Sequence, residues 1–125
     1  SLGSVFVLAL VLKLGHIQYV TLLPKSVTTA ISMDVSAELG GIAALTGAIV
    51  ILTGIAGNLL AESVCKWFRI TDPIAKGIGI GTSSHAIGTS KALEMGEVEG
   101  AMSGLAIAVA GVLTAVLCPV FAMLM

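Results

Sequence analysis

Charged residues are scarce in this sequence. Only 10% of its 125 residues are Asp, Glu, Lys or Arg, whereas roughly 25% is usual for a soluble domain. Hydrophobic residues make up 57% of the chain, and the mean hydropathy is +1.10. This composition excludes an ordinary soluble domain and indicates a membrane protein.

Positive charge is too scarce for a nucleic-acid-binding protein. Six Lys and Arg residues stand against seven Asp and Glu residues, so the formal net charge is −1. No basic field is available to hold nucleic acid, and no run of Lys and Arg resembles a patch for lipid headgroups. We therefore expect no nucleic-acid partner.

Cysteine is also rare. Cys65 and Cys118 are far apart, lie in or beside apolar segments, and lack the Cys or His neighbours of a metal site. They are typical of buried thiols, and we expect neither a metal nor a cofactor. The chain opens Ser-Leu-Gly without Met and without anything that resembles a signal peptide, so we expect a fragment or processed product.

Long apolar runs are what the sequence has instead. A spanning helix needs about 20 mostly apolar residues, and residues 41–60 and 100–125 are uncharged throughout. Residues 2–12 form a shorter apolar segment. Glycines in the long runs suit close approach between helices in lipid. These glycines are Gly47, Gly54, Gly57, Gly104 and Gly111.

Two further segments, residues 17–39 and 72–95, are apolar at their ends and polar at their centres. The first reads IQYVTLL, PKSVTT and AISMDVSAELG, and the second reads DPIAKGIGIG, TSSH and AIGTSKALEMG. A helical piece of ten residues covers about 15 Å, half of the hydrocarbon thickness. The pattern predicts a broken membrane helix in each segment.

The two segments resemble each other. A shift of 56 positions aligns Glu38 with Glu94, and a shift of 57 aligns Gly47 with Gly104. Paired interrupted segments of this kind are the best sequence indication of a transporter's binding site.

These patterns predict an all-α polytopic membrane protein. We expect one membrane domain fragment, residues 1–125, made of two related units. Each unit contains a broken helix, either discontinuous or re-entrant, followed by a spanning helix. The first unit covers about residues 17–60 and the second about residues 72–125.

The topology of the broken helices is open at this point. If both enter and return as hairpins, each unit crosses the bilayer once and the repeats are inverted; if both cross, the repeats are parallel. Charge placement favours crossing, because Lys13 and Arg69 would then lie on one side of the membrane and Asp34 and Glu94 on the other.

The polar centres contain the parts of a small-anion site. Where a helix is broken inside the membrane, freed N–H groups carry partial positive charge, and hydroxyls add donors. Lys25 brings a formal charge, and His85 can donate, accept or take up a proton near neutral pH. The hydroxyls can instead satisfy freed backbone groups. The candidate substrate-binding residues are Lys25, Ser26, Thr28, Thr29, Ser83, Ser84, His85 and Thr89.

Charged residues near the broken segments are costly in a membrane, by ~2.5–3.5 kcal/mol each on insertion scales, so we expect them at the interface or paired. Lys91 and Glu94 are three residues apart on one helix face and are predicted to pair. Glu97 and Glu99 precede the last span and are predicted to form a solvated cap.

Enzymatic chemistry is not expected. Ser84, His85 and Lys91 are residue types of a nucleophile and base, but adjacent helical residues point about 100° apart and no acidic group stands nearby. The GxSxG, GxxxxGK[ST], HExxH and GxGxxG motifs are absent from the sequence. We therefore assign no catalytic residue.

Two strings, PKSVTTAISMDVSAELGG and DPIAKGIGIGTSSHAIGTSKALEMGEVEGAMSGLA, resemble the most recognisable blocks of the LrgB/CidB family of bacterial membrane proteins. The resemblance covers roughly residues 22–119. It implies a multi-pass protein of the bacterial cytoplasmic membrane, and it implies that amino-terminal helices of the family's domain are missing from this sequence.

The resemblance implies two alternative functions. Bacterial members have been described as antiholin-like modulators of murein hydrolase release and lysis, acting with a small holin-like membrane protein of the LrgA/CidA type. Chloroplast relatives carry glycolate and glycerate, and bacterial pairs are implicated in pyruvate transport.

Our leading hypothesis is a carrier of a small monocarboxylate, with proton coupling through His85 as an option. The alternative is an antiholin-like regulator that packs on partner helices. The expected partners are the carboxylate, an LrgA/CidA-type protein, the lipid bilayer and further copies of the chain.

Overall fold

The computed structural model describes residues 2–124, and over this range the chain is helical with no strand. The helices are α1 Leu2–Leu12, α2 His16–Leu22, α3 Thr29–Glu38, α4 Ala43–Trp67, α5 Pro73–Met95 and α6 Glu97–Ala122. One compact unit contains the chain up to Val50 together with the chain from Gly111 onward, and the other contains Ile51–Ala110. The predicted all-α class is confirmed.

Helices α4 and α6 are the two described helices that are long and apolar enough to span a membrane. The core helix of a soluble protein is mostly buried, but only 22% of the most apolar window of α4 and 28% of that of α6 are buried here. Large apolar side chains such as Leu52 and Val112 are exposed, as expected of a surface that contacts lipid. The predicted apolar runs therefore form helices of spanning length, and α4 continues beyond residue 60 to Trp67.

The first polar segment is interrupted between Leu22 and Thr29, where α2 ends and α3 begins. Gly41, which follows α3, lies against α2: the backbone nitrogen of Thr21 is 3.1 Å from the position of a Cβ on Gly41. The backbone N–H of Ile42 also donates to Thr21 Oγ1 at 2.9 Å. Two helices in line would hold Thr21 and Gly41 roughly 30 Å apart. The segment therefore returns on itself, and we call α2 and α3 the first hairpin.

The second polar segment also reverses. The backbone of His85, inside α5, has φ 42° and ψ −138°, which is not helical. Ile80 and Ala92 belong to one buried cluster with Ala61, and a Cβ on Gly88 would lie 3.1 Å from Ile80 Cγ2. A straight helix would hold Ile80 and Ala92 about 18 Å apart. The two halves of α5 therefore form a second hairpin with His85 at its tip.

The crossing topology that charge placement favoured is wrong for these segments. Arg69 and Glu94 were expected on opposite sides, but a chain of ion pairs joins Glu94 to Lys66, three residues before Arg69. Lys91 Nζ lies 3.2 Å from Glu94 Oε2, as predicted, and 2.7 Å from Glu62 Oε1, which Lys66 Nζ approaches at 3.7 Å. Both ends of the second hairpin thus lie beside the carboxyl end of α4.

Each of the two compact units has its own core. In the first, the side chains of Tyr19, Leu23 and Cys118 are fully buried, and the Tyr19 hydroxyl donates to the Phe121 carbonyl at 2.8 Å. In the second, Cys65 is buried. The prediction that both cysteines are buried thiols is confirmed.

The predicted solvated cap before α6 is only half correct. Glu97 is exposed, but Glu99 is only 9% exposed. A Cβ on Gly96 would overlap the Glu99 carboxylate, so the absence of a side chain at Gly96 lets Glu99 fold back over the start of the helix.

Candidate functional site

The interruption in the first hairpin places Lys25 and Ser26 side by side. Ser26 is 7% exposed and Lys25 is half-buried, and the Lys25 ammonium donates to Ser26 Oγ at 3.3 Å. The interruption contains Pro24, whose ring removes a backbone donor. The chain thus holds one ammonium group and one hydroxyl close together, where the helical hydrogen bonds stop.

Two hydroxyls that the sequence analysis did not single out satisfy backbone groups around this interruption. Ser32 Oγ donates to the Pro24 carbonyl at 2.6 Å, and Thr46 Oγ1 lies 2.8 Å from the Thr21 carbonyl. Both side chains are fully buried. The role of satisfying freed carbonyls therefore falls partly on residues outside the polar centre. For Thr46 the available signal was a hydroxyl within a long apolar run; Ser32 lies in a segment with other polar residues and had no such signal.

Thr28 and Thr29 mark the start of α3. Thr28 is the residue that caps the helix, but its side chain makes no capping hydrogen bond. Thr29 is the first helical residue, and its methyl carbon lies 3.7 Å from the position of a Cβ on Gly47. Both residues are half-buried. The predicted residues 25–29 therefore lie together at one break.

The tip of the second hairpin carries Ser83, Ser84 and His85. Ser84 is 2% exposed and His85 is 1% exposed, whereas Ser83 is exposed. The two serine oxygens lie 3.1 Å apart. The positive φ of His85 lies in a region that L-residues rarely adopt, which costs of order 1–3 kcal/mol. Such strain persists only when the surrounding packing imposes it, and it is frequent at functional sites.

Two glycines of α4 make room for this tip. A Cβ on Gly57 would overlap the side chain of Ser84, and a Cβ on Gly54 would lie 2.9 Å from His85 Cε1. Gly54 and Gly57 are three residues apart and so share a face of α4. The prediction that these glycines permit close helix contact is confirmed.

Of the other three predicted glycines, two lie close to another helix and one does not. Gly47 lies against Met33, whose Sδ would be 2.9 Å from an added Cβ, and Gly111 lies 3.4 Å by the same measure from Ile31 Cδ1. Gly104 has no heavy atom within 4 Å of an added Cβ among the residues described. The close-contact role is therefore wrong for Gly104.

Carbonyl groups just after the tip are satisfied by side chains. The His85 carbonyl accepts from Thr89 Oγ1 at 2.9 Å, and the Ile87 carbonyl accepts from Asn58 Nδ2 at 2.9 Å and from Ser90 Oγ at 2.6 Å. Thr89, predicted as a binding residue, thus serves the backbone. Asn58 was missed, although an amide near the end of an uncharged apolar run was the signal.

A cavity of about 400 Å³ reaches Ser83 and Ser84 from between α4 and the first half of α5. This volume is within the roughly 300–1,000 Å³ of small-molecule sites. Its lining is mainly apolar, with Lys76 and the two serines among its few polar groups. Such a lining suits a small solute with one anionic end. Lys76 is one of the charged residues expected at the interface or paired, and this cavity links it to the serines.

Potential metal ligands do not form a cluster among the described residues. Within residues 2–124, no group of three or more His, Cys, Asp or Glu side chains is placed to hold a metal ion. The donors at both breaks are hydroxyl, ammonium and imidazole groups, which suit a carboxylate or another small oxyanion.

Comparison with known proteins gives consistent matches. The LrgB-like family model matches residues 1–124. The chain is 41% identical over 121 residues to proteins named "Antiholin-like protein LrgB" from Bacillus cereus (strain B4264) and Bacillus anthracis (strain A0248). Each match covers 97% of this chain and 53% of the relative, so the chain spans about half the length of these relatives. No solved structure matches it.

Proposed function

Because the chain belongs to the LrgB-like family, we propose that it forms part of a membrane carrier for a small monocarboxylate of the pyruvate, glycolate or glycerate type. The observation that carries this proposal is the tip of the second hairpin. There a buried serine and a buried histidine lie at a helix break, and Ser84 lines a cavity that also contains Lys76. Carriers typically bind their substrates at such interrupted membrane helices.

Each break offers a carboxylate specific donors. Lys25 and Ser26 supply an ammonium and a hydroxyl at the first, and Ser83, Ser84 and His85 supply hydroxyls and an imidazole at the second. Thr28 and Thr29 add hydroxyls at the first break, and Thr89 adds one at the second, where it also donates to the His85 carbonyl. The substrate is moved unchanged, so the proposal includes no enzymatic step. Protonation of His85 is the proposed means of coupling to protons.

The proposed membrane arrangement is a multi-pass protein of the bacterial cytoplasmic membrane. Its repeat units, about residues 17–60 and 72–125, each contain a re-entrant hairpin followed by one spanning helix. Each unit then crosses the bilayer once, which is the parity of inverted repeats. We propose that the full-length protein forms homo-oligomers and acts with a small membrane protein of the LrgA/CidA type.

Reconstitution tests the carrier function. Vesicles that contain the full-length protein, with and without its small partner, should accumulate labelled pyruvate, glycolate or glycerate above protein-free vesicles. Lys25→Ala and His85→Ala should each abolish uptake while membrane insertion stays intact, because each removes a proposed substrate contact. Lys25→Arg should retain part of the activity, since the charge remains but the geometry changes.

Lys13→Ala is the matched control for Lys25→Ala, because Lys13 is an exposed lysine outside both breaks. It should leave uptake near that of the unmodified protein. Near-normal uptake by both the Lys25→Ala and the His85→Ala proteins would contradict the proposed binding residues.

An antiholin-like regulator is the second candidate function. The printed name of the relatives favours it, and the exposed apolar surfaces of α4 and α6 can accept partner helices. In this case the vesicles should accumulate no small carboxylate, whereas deleting the gene should still alter lysis. Exposed helix faces, rather than the two breaks, would then contain the sensitive positions.

A further inference from the structure

A second cavity, of about 650 Å³, lies where the carboxyl end of α4 meets both ends of the second hairpin. Three cations line it, although no run of basic residues exists in the sequence. Folding brings Lys66 and Arg69, at the end of α4, next to Lys76 in the first turn of α5. The full lining is Glu62, Cys65, Lys66, Arg69, Ile70, Thr71, Lys76 and Met95.

The charge of this cavity is positive. Its one carboxylate, Glu62, is already engaged by Lys91 at 2.7 Å and by Lys66 at 3.7 Å. Among residues 2–124, no carboxylate lies within ion-pair distance of Arg69 or Lys76. These two cations therefore remain available to an anion that enters the cavity.

Arg69 is a charged residue at a position where helices usually end with glycine. The Ile70 N–H donates to the Cys65 carbonyl at 2.8 Å, and the Arg69 N–H donates to the Lys66 carbonyl at 3.2 Å. This hydrogen-bond pattern ends helices with a left-handed residue that is most often glycine. Arg69 adopts it with φ 54°. A cation here is also favoured by the negative end of the helix dipole.

The two cavities are neighbours and share part of their lining. Cys65, Ile70 and Lys76 line both. The lining of the smaller cavity extends to Ser83 and Ser84, about 12 Å along the helix from Lys76. The three cations and the serine pair therefore belong to adjacent cavities that share Lys76.

We propose that this basic cavity is a vestibule that collects a small carboxylate and passes it to the serine pair. The inference rests on the proposed carrier function and adds a second subsite with residues of its own. A cleft lined by charges of one sign raises the local concentration of the opposite ion. The vestibule residues should therefore affect the apparent affinity for the substrate and its dependence on salt, rather than the maximal rate.

The test measures labelled pyruvate uptake by the full-length protein in neutral phosphatidylcholine vesicles. Arg69→Gln, at a residue that lines only the larger cavity, should raise KM severalfold at low salt, leave the maximal rate within about twofold, and flatten the dependence of KM on ionic strength. Arg69→Lys should restore KM, because the charge returns. Lys13→Gln is the control, since Lys13 is also an exposed cation with a left-handed backbone, φ 51°, after a helix.

The outcomes separate the two proposals. If the unmodified protein takes up no carboxylate, the carrier function fails and the vestibule fails with it. If it takes up pyruvate but the Arg69→Gln variant has the KM of Lys13→Gln, the vestibule is wrong and the carrier function stands. A KM effect that appears only in vesicles with anionic phosphatidylglycerol would assign the cavity to a lipid headgroup and would also overturn the vestibule.

Discussion

At His85 a buried imidazole coincides with a backbone conformation that favours glycine. The side chain is 1% exposed, and φ is 42° with ψ −138°. If packing alone determined this position, glycine would satisfy the turn with less strain. A histidine that keeps this conformation is therefore better explained by a function of its imidazole than by the turn.

This conflict can be tested with two substitutions at one position. His85→Gly should unfold in detergent at a higher free energy than His85→Ala, by about 1–3 kcal/mol, because glycine relieves the positive φ and alanine does not. Uptake should be lost in both variants if the imidazole acts on the substrate. Retained uptake in the glycine variant alone would show that only the turn matters.

Candidate site residues could be proposed from the sequence where a residue type is unusual in an apolar chain, but not where its role depends on which residues pack beside it. Lys25 and His85 are candidates of the first kind. Lys76 could not be linked to Ser83 and Ser84, because the cavity that joins them requires α4 to lie alongside the first half of α5. The hydrogen bond from Thr89 to the His85 carbonyl could not be foreseen, because a hydroxyl that serves a carbonyl and one that does not look identical in sequence.

Helix α4 approaches the second hairpin through glycines, and this contact can be tested at the scale of the element. Gly57→Ala should lower the free energy of unfolding by about 1–3 kcal/mol, because the added methyl group overlaps the Ser84 side chain and forces the tip away. It should also reduce uptake. The measurement is denaturant unfolding in detergent micelles.

Gly104→Ala is the control for this change. It is also a glycine within a helix of spanning length, but an added Cβ there meets no heavy atom within 4 Å among the described residues. Alanine should stabilise the helix by roughly 0.5–1 kcal/mol. Equal effects of the two substitutions would mean that Gly57 has no special contact with the hairpin.

The positions of the helices and of their breaks were predictable from the sequence, but whether the chain continues or reverses at each break was not. Apolar runs with polar centres predicted the spans and both breaks, and Leu22, Thr29 and His85 mark those breaks within one or two residues of the predicted positions. Sequence periodicity is the same for a helix that continues past a break and for one that returns. The reversal is visible only in contacts such as Thr21 with Gly41.

At the scale of the molecule, the hairpin explains where charge can lie in an apolar chain. Because the second hairpin returns to its starting end, Glu62, Lys66, Lys91 and Glu94 form one connected group, and His85 lies at the far tip. This arrangement places the four charges at the open end of the hairpin and away from the hydrocarbon, where burying each charge would cost free energy. Charge placement along the sequence favoured a crossing, which would have put Arg69 and Glu94 on opposite sides.

The depth of α4 in the membrane gives a further prediction, because Trp67 is the single tryptophan among these 125 residues. Trp67 ends α4, is 82% exposed, and lies beside exposed Phe68. Aromatic residues favour the interface between lipid and water. A helix of 25 residues spans about 37 Å, against roughly 30 Å of hydrocarbon. If α4 crosses the bilayer, Trp67 should lie near the interface, about 15 Å or more from the bilayer centre.

Quenching by lipids brominated at different depths measures this position. Trp67 fluorescence should be quenched most by bromine close to the headgroup. Leu52 is also exposed on α4 but lies 15 residues earlier, about 22 Å away along the axis. In a protein with Trp67→Phe and Leu52→Trp, quenching should therefore be strongest with bromine deep in the acyl chains. Shallow quenching at both positions would mean that α4 lies along the membrane surface, and the proposed multi-pass arrangement would be wrong.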